Sequence, residues 1–93
     1  MSDEPKQLVQ RAAAELKAAG AREVFAFGSA TRGQLAAGSD VDLAVSGLAP
    51  GLFYRLGARI SDLLGRNVDL IDLDKPTPFT RYLREENELV RVG

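Results

Sequence analysis

The chain has 93 residues, of which 45% are hydrophobic and 27% charged, and its formal net charge is −1. These values predict one small globular domain over residues 1–93. Cysteine and histidine are both absent, which excludes thiol chemistry, disulfides, zinc–thiolate sites and histidine-based catalysis. The near-neutral charge predicts no extended nucleic-acid surface. No apolar run is long enough to span a bilayer, so we expect a cytoplasmic protein with no membrane partner.

The first half of the chain predicts a helix, a strand and a glycine-rich segment. Ser2 or Asp3 can cap the helix, and Gly20 can end it in a left-handed conformation. Its apolar residues recur at helical spacing: Leu8, Val9, Ala12, Ala13 and Leu16. Residues 24–27 predict a buried strand that ends at Gly28. Residues 28–38 fit either a loop or a short helix.

The second half predicts two strands, two helices and a short edge strand. Residues 40–45 alternate as a half-buried strand does, and residues 67–73 form the next strand. Between them lies a helix that ends at Gly65, with one apolar face made of Leu52, Leu56, Ile60, Leu63 and Leu64. Thr77 and Pro78 open the last helix, and residues 89–92 add the edge strand. The predicted fold class is α/β (α+β), two-layered, with a small mixed sheet and helices packed on one face.

Three aspartates are candidates for the chemistry. Asp40 and Asp42 are two residues apart on a predicted strand, so both carboxylates point to the same face. Asp69 lies in the next strand and joins them if the two strands are neighbours. Converging carboxylates repel one another unless a cation is bound. Such clusters hold pairs of Mg²⁺ ions for in-line displacement at phosphorus.

The glycine-rich segment before these aspartates predicts a phosphate site. Gly28 permits close approach of the backbone, and Ser29 offers a hydroxyl and an N–H where a short helix could begin. Arg32 follows one turn later and can bind two phosphate oxygens at once. Ser29 as a plain helix cap and Arg32 as a surface charge remain the alternatives.

Other charged residues have simpler interpretations. We predict turn and capping roles for Asp72 and Asp74, because Asp72 breaks the alternation set by Asp69. Lys75, Arg81 and Arg84 are interpreted as the solvated rim of the last helix, with the docking of an acidic partner as the alternative.

Gly28-Ser29, ten further residues and then Asp40-Val41-Asp42 resemble the Gly-Ser-x10-Asp-x-Asp signature of the DNA polymerase β-like nucleotidyltransferases. The pattern over about residues 24–73 is most similar to the minimal nucleotidyltransferases, the MntA-like antitoxins paired with HEPN toxins. The resemblance implies that Ser29 and Arg32 contact the triphosphate of ATP or another NTP. It also implies that Asp40 and Asp42 ligate two Mg²⁺ ions, and that Asp69 ligates the catalytic ion and helps to activate the acceptor hydroxyl.

The implied reaction is transfer of a nucleoside monophosphate, AMP from ATP, to a hydroxyl group. In the MntA-like group the acceptor is a tyrosine of the HEPN toxin, which would here be a separate chain. Two alternatives stay open: an enzyme that modifies a small molecule, and a non-catalytic antitoxin that acts by contact alone. The motifs leave the nucleotide base, the acceptor and a homo- or hetero-oligomeric state undetermined.

Overall fold

The computed structural model of the chain describes residues 4–28, 40–86 and 88–93, and these ranges contain three helices and four strands. In chain order the elements are α1 (Glu4–Ala18), β1 (Glu23–Ala26), β2 (Val41–Ser46), α2 (Pro50–Leu64), β3 (Val68–Asp72), α3 (Pro78–Glu85) and β4 (Val90–Arg91). The predicted order of helices and strands is confirmed for the described residues. Ser2 and Asp3, the candidate caps of the first helix, lie outside them.

The four strands form one mixed sheet in the order β3-β2-β1-β4. β1 pairs antiparallel with both β2 and β4, whereas β2 and β3 are parallel. Because parallel neighbours need a crossover, α2 connects β2 to β3 across one face of the sheet. The mixed α+β architecture predicted from the sequence is therefore confirmed.

The main core lies between this face of the sheet and the helices α1 and α2. Its largest fully buried side chains are Leu16, Val24, Val41, Leu43, Val45 and Ile60. Leu56 and Ile60 are the buried residues of α2, and Leu52 and Leu64 pack partly against the core. Leu63, also on the predicted apolar face, is 42% exposed. Helical periodicity gives the direction of a side chain but not the extent of the surface opposite it.

A smaller cluster lies on the opposite face of the sheet. Phe27, Ala44, Leu73 and Leu83 are its buried members, so α3 contributes to this face through Leu83. The prediction that the helices pack on one face therefore holds for α1 and α2 but not for α3. The last helix begins at Thr77 and Pro78, as predicted, and Thr77 caps it in a reciprocal arrangement with Thr80. None of the helices in the described ranges is long and apolar enough to cross a membrane.

Candidate active site

Asp42 and Asp69 are neighbours on adjacent parallel strands. Their Cα atoms are register partners in the β2–β3 pair, so the condition on which Asp69 could join the other aspartates is met. Register partners share a face of the sheet, and adjacent strands lie only about 4.8 Å apart. Val41 and Leu43, on either side of Asp42, are fully buried in the main core. Both carboxylates therefore project from the face opposite α1 and α2.

Asp40 directly precedes β2 and is exposed. It is two residues before Asp42, which places it on the same side of an extended chain. The pKa of the Asp42 carboxyl is raised above its ordinary value, first by burial and then by the negative charges of Asp69 and Asp40. All three aspartates thus interact electrostatically around Asp42. A bound cation would relieve both the repulsion and the cost of burial.

Gly28 brings the backbone close to the Asp42 carboxylate. The Phe27 N–H donates a hydrogen bond of 3.1 Å to the Asp42 carbonyl oxygen, and the chain then turns at Gly28 with φ +63°. A Cβ atom on Gly28 would lie 2.6 Å from Asp42 Oδ2. Both the left-handed backbone and the contact with Asp42 therefore require glycine at this position.

The other two predicted phosphate ligands, Ser29 and Arg32, lie outside the described residues. Gly28 is the last described residue before them, and it already stands against Asp42. The proposed phosphate segment therefore starts beside the carboxylates.

The donor chemistry around Asp42 suits a hard divalent cation. Asp42, Asp69 and Asp40 supply carboxylate oxygens, which are the ligands that Mg²⁺ prefers. Within residues 4–28, 40–86 and 88–93, no group of three or more acidic side chains is already arranged around one ion position. Mg²⁺ sites of this class are usually completed by phosphate oxygens of the substrate. The residues therefore fit a metal that arrives with a nucleotide.

Two other aspartates have structural roles, as the sequence predicted: Asp72, the last residue of β3, and Asp74, which follows the strand. Asp72 Oδ1 accepts a 2.9 Å hydrogen bond from the Asp74 N–H, which closes a turn after the strand. Asp74 Oδ2 accepts a 2.7 Å hydrogen bond from the Gly47 N–H. This contact ties the turn after β3 to the turn after β2.

An aromatic depression lies beside Asp42, and the sequence did not indicate it. Its volume is about 310 Å³, and its lining residues are Phe27, Gly28, Asp42, Phe79, Tyr82, Leu83 and Glu88. Leu83 is buried, whereas Phe79 and Tyr82 are 46% and 52% exposed. The sequence placed Phe79 and Tyr82 on the last helix, but only the tertiary fold brings that helix against Asp42. Two aromatic residues three apart on a short helix were the available signal.

The sequence profile of the family Polymerase beta, Nucleotidyltransferase matches residues 13–91. Among solved structures, the chain is similar to a protein assigned as a minimal nucleotidyltransferase, with 29% identity and a TM-score of 0.71. That match covers 92% of this chain and 93% of the other. No curated protein matches the chain significantly.

Two toxin–antitoxin complexes also contain similar chains. One holds AMP-PNP, and its chain is 20% identical with a TM-score of 0.68, over 99% of this chain and 72% of that one. The other contains a tri-AMPylated HEPN toxin of Shewanella oneidensis with an MNT antitoxin. It matches with 17% identity and a TM-score of 0.70, over 96% of this chain and 71% of that one. At these identities the likeness concerns the fold. Because the family profile spans most of the sequence, the chain belongs to the polymerase β nucleotidyltransferase family.

Proposed function

We propose that this chain transfers AMP from ATP to a tyrosine hydroxyl of a HEPN-type toxin and so acts as its antitoxin. The observation that carries the proposal is the pairing of Asp42 with Asp69 on one face of the sheet, next to Gly28. The chain belongs to a nucleotidyltransferase family, and nucleotidyl transfer needs carboxylates that hold metal ions next to a segment that binds phosphate. The solved AMP-PNP complex and the AMPylated toxin support the choice of nucleotide and acceptor.

The proposed reaction is one in-line displacement. The acceptor oxygen forms a bond to the α-phosphorus, the bond from that phosphorus to the β-phosphate oxygen breaks, and pyrophosphate leaves. Asp40 and Asp42 would hold two Mg²⁺ ions together with the phosphates, and Asp69 would share the ion nearest the acceptor. When bound, these ions neutralise developing charge and lower the pKa of the attacking hydroxyl.

The residues of the chain position the reactants around these ions. Ser29 and Arg32 hold the triphosphate. Gly28 has no side chain and so lets the phosphates approach Asp42. Asp69 stands on the edge strand β3, where an acceptor can reach its carboxylate. This carboxylate orients the hydroxyl and accepts its proton.

The test is intact-mass measurement of the neighbour-encoded partner after incubation with the chain, ATP and Mg²⁺. Each transfer should add about 329 Da, the mass of an adenylyl group, to the partner. Asp42→Asn should abolish the addition. Asp62→Asn removes one negative charge from an exposed position on α2 and should leave it unchanged. Chelation of Mg²⁺ should act like Asp42→Asn.

The same experiment separates the two alternatives. A contact inhibitor would silence the partner without a mass change, and Asp42→Asn would keep its effect. A small-molecule enzyme would release pyrophosphate with an added hydroxyl compound and leave the partner unmodified. Either result would overturn the proposal.

A further inference from the structure

The aromatic depression beside Asp42 offers a place for the nucleotide base. We propose that Phe79 and Tyr82 form a stacking platform for the base of the bound NTP, an inference that rests on the proposed function. The nucleotide-binding residues predicted from the sequence all address the triphosphate and its metal ions. These two rings would add the part of the site that touches the base.

The depression lies where the base of a bound NTP is expected to lie. In the proposed reaction the α-phosphate lies at Asp42, and the ribose joins that phosphate directly to the base. The base must therefore lie a single sugar away from Asp42. The depression contains Asp42 and Gly28 at one side and the two rings at the other. Its volume of about 310 Å³ is at the lower end of the range for small-ligand sites.

The Phe79 ring is held in place by a neighbouring ring, and both platform rings remain accessible. Phe79 packs edge-on against the buried ring of Phe27, with centroids 5.9 Å apart and an interplanar angle of 69°. Tyr82 lies three residues further along α3, on the same side of the helix. About half of each side chain is exposed, at 46% and 52%. A ring that is packed on one side and open on the other, as Phe79 is, suits stacking, since little side-chain freedom is lost on binding.

A second depression provides the rival location. It has a volume of about 300 Å³ and lies between α2 and β3, where its lining includes Tyr54 and Asp69. Gly28, two residues after β1, begins the proposed phosphate segment and lies close to Asp42, whereas β3 is an edge strand of the sheet. A triphosphate held at Gly28 therefore directs its nucleoside toward α3. Tyr54 is 80% exposed, so a fluorescent side chain at this position would detect a base bound in the second depression.

The absence of tryptophan from the chain gives a direct test. Tyr82→Trp and the matched control Tyr54→Trp each place one indole in one depression. With Mg²⁺ present, ATP should quench the fluorescence of Tyr82→Trp but not that of Tyr54→Trp. Inorganic tripolyphosphate should bind without quenching either variant, because it has no base. Quenching of Tyr54→Trp alone, or of neither variant, would overturn the proposal.

Calorimetric titration measures how much the Tyr82 ring contributes to the affinity for ATP. Tyr82→Ala should weaken ATP binding roughly tenfold, the usual scale for loss of one base–aromatic stack, and leave tripolyphosphate binding unchanged. Tyr82→Phe, which keeps the ring, should restore most of the affinity. Equal weakening of both ligands would show a structural role and overturn the inference. If wild-type protein binds both ligands equally and no variant changes this, the base platform fails while the proposed function stands. If wild-type protein binds neither ligand, both fail.

Discussion

The two faces of the sheet differ in what covers them. On one face, Val41, Leu43 and Val45 of β2 are fully buried beneath α1 and α2. On the other, Asp42 of the same strand is partly exposed, and the covering layer is the smaller cluster around Phe27 and Leu83. Since successive side chains of a strand alternate, one six-residue strand both anchors the core and supplies a candidate ligand, Asp42. Stability and chemistry are therefore separated by face, not by region of sequence.

The largest expected effect on the free energy of unfolding comes from a substitution on the sheet face that α1 and α2 cover. Leu43→Ala should lower the free energy of unfolding by about 2–5 kcal/mol, because it removes buried methyl groups and leaves a cavity. The measurement is urea denaturation, with Leu43→Met as the volume-conserving control at less than about 1.5 kcal/mol. ATP binding by the folded fraction should be unchanged. A specific loss of ATP affinity at unchanged stability would contradict the separation of the two faces.

Substitution of Gly28 tests the opposite face of the sheet, and the same substitution at Gly65 is the matched control. Gly28→Ala and Gly65→Ala both place a side chain in left-handed backbone, at φ +63° and +68°, at a cost of about 1–2 kcal/mol each. Only at Gly28 would the new Cβ meet Asp42, 2.6 Å from its Oδ2 atom, whereas Gly65 has open space. We therefore expect both changes to be destabilising in urea denaturation, and Gly28→Ala to cost at least as much as Gly65→Ala.

Ligand binding should distinguish the two glycine variants. Gly28→Ala displaces the Asp42 carboxylate and should weaken Mg²⁺-dependent ATP binding by about 10–100-fold, the range seen when a metal ligand loses its support. Gly65→Ala, at the end of α2, should bind as the wild-type protein does. Equal binding by both variants would show that the close approach of Gly28 to Asp42 has no functional role.

The cap of α3 links stability to the aromatic depression. The Thr77 side chain accepts a 3.1 Å hydrogen bond from the Thr80 N–H, and Thr80 Oγ1 accepts one of 3.0 Å from the Thr77 N–H. Thr77→Ala should cost about 1 kcal/mol in urea denaturation. Thr77→Ser keeps the hydroxyl and should restore stability. If α3 carries the base platform, Thr77→Ala should weaken ATP binding more than tripolyphosphate binding.

Local signals in the sequence identified most of the elements. Thr77-Pro78 and Gly65 correctly marked the ends of two helices, because caps depend on nearby backbone geometry. The alternation around Asp42 correctly indicated that Val41 and Leu43 on either side of it are buried, because a strand has a fixed period of two. The sequence could not show that α3 places Phe79 and Tyr82 beside Asp42. That contact joins distant parts of the chain, and no local pattern encodes it.

The smallest expected effect has the opposite sign from the others. Asp42→Asn should raise the free energy of unfolding at neutral pH, because it removes a partly buried charge that two like charges oppose. The gain should be a few tenths of a kcal/mol to about 1 kcal/mol, the size of interactions between exposed charges. Thermal unfolding without divalent metal is the measurement. Asp62→Asn, on exposed α2 surface, controls for the loss of one negative charge.

The pH dependence of the stability gained by Asp42→Asn shows whether the gain comes from removal of the Asp42 charge. The pKa of Asp42 is raised in the folded chain by burial, Asp69 and Asp40, so the folded state holds this proton more tightly than the unfolded state. Wild-type stability should therefore fall as the pH rises through the interval between the unfolded and folded pKa values, and stay lower above it. The gain from Asp42→Asn should vanish below this interval. Added Mg²⁺ should stabilise the wild-type protein more than Asp42→Asn, since the cation relieves the same repulsion. A gain that persists at low pH, or that Mg²⁺ does not reduce, would place its cause in packing and not in the carboxylate cluster.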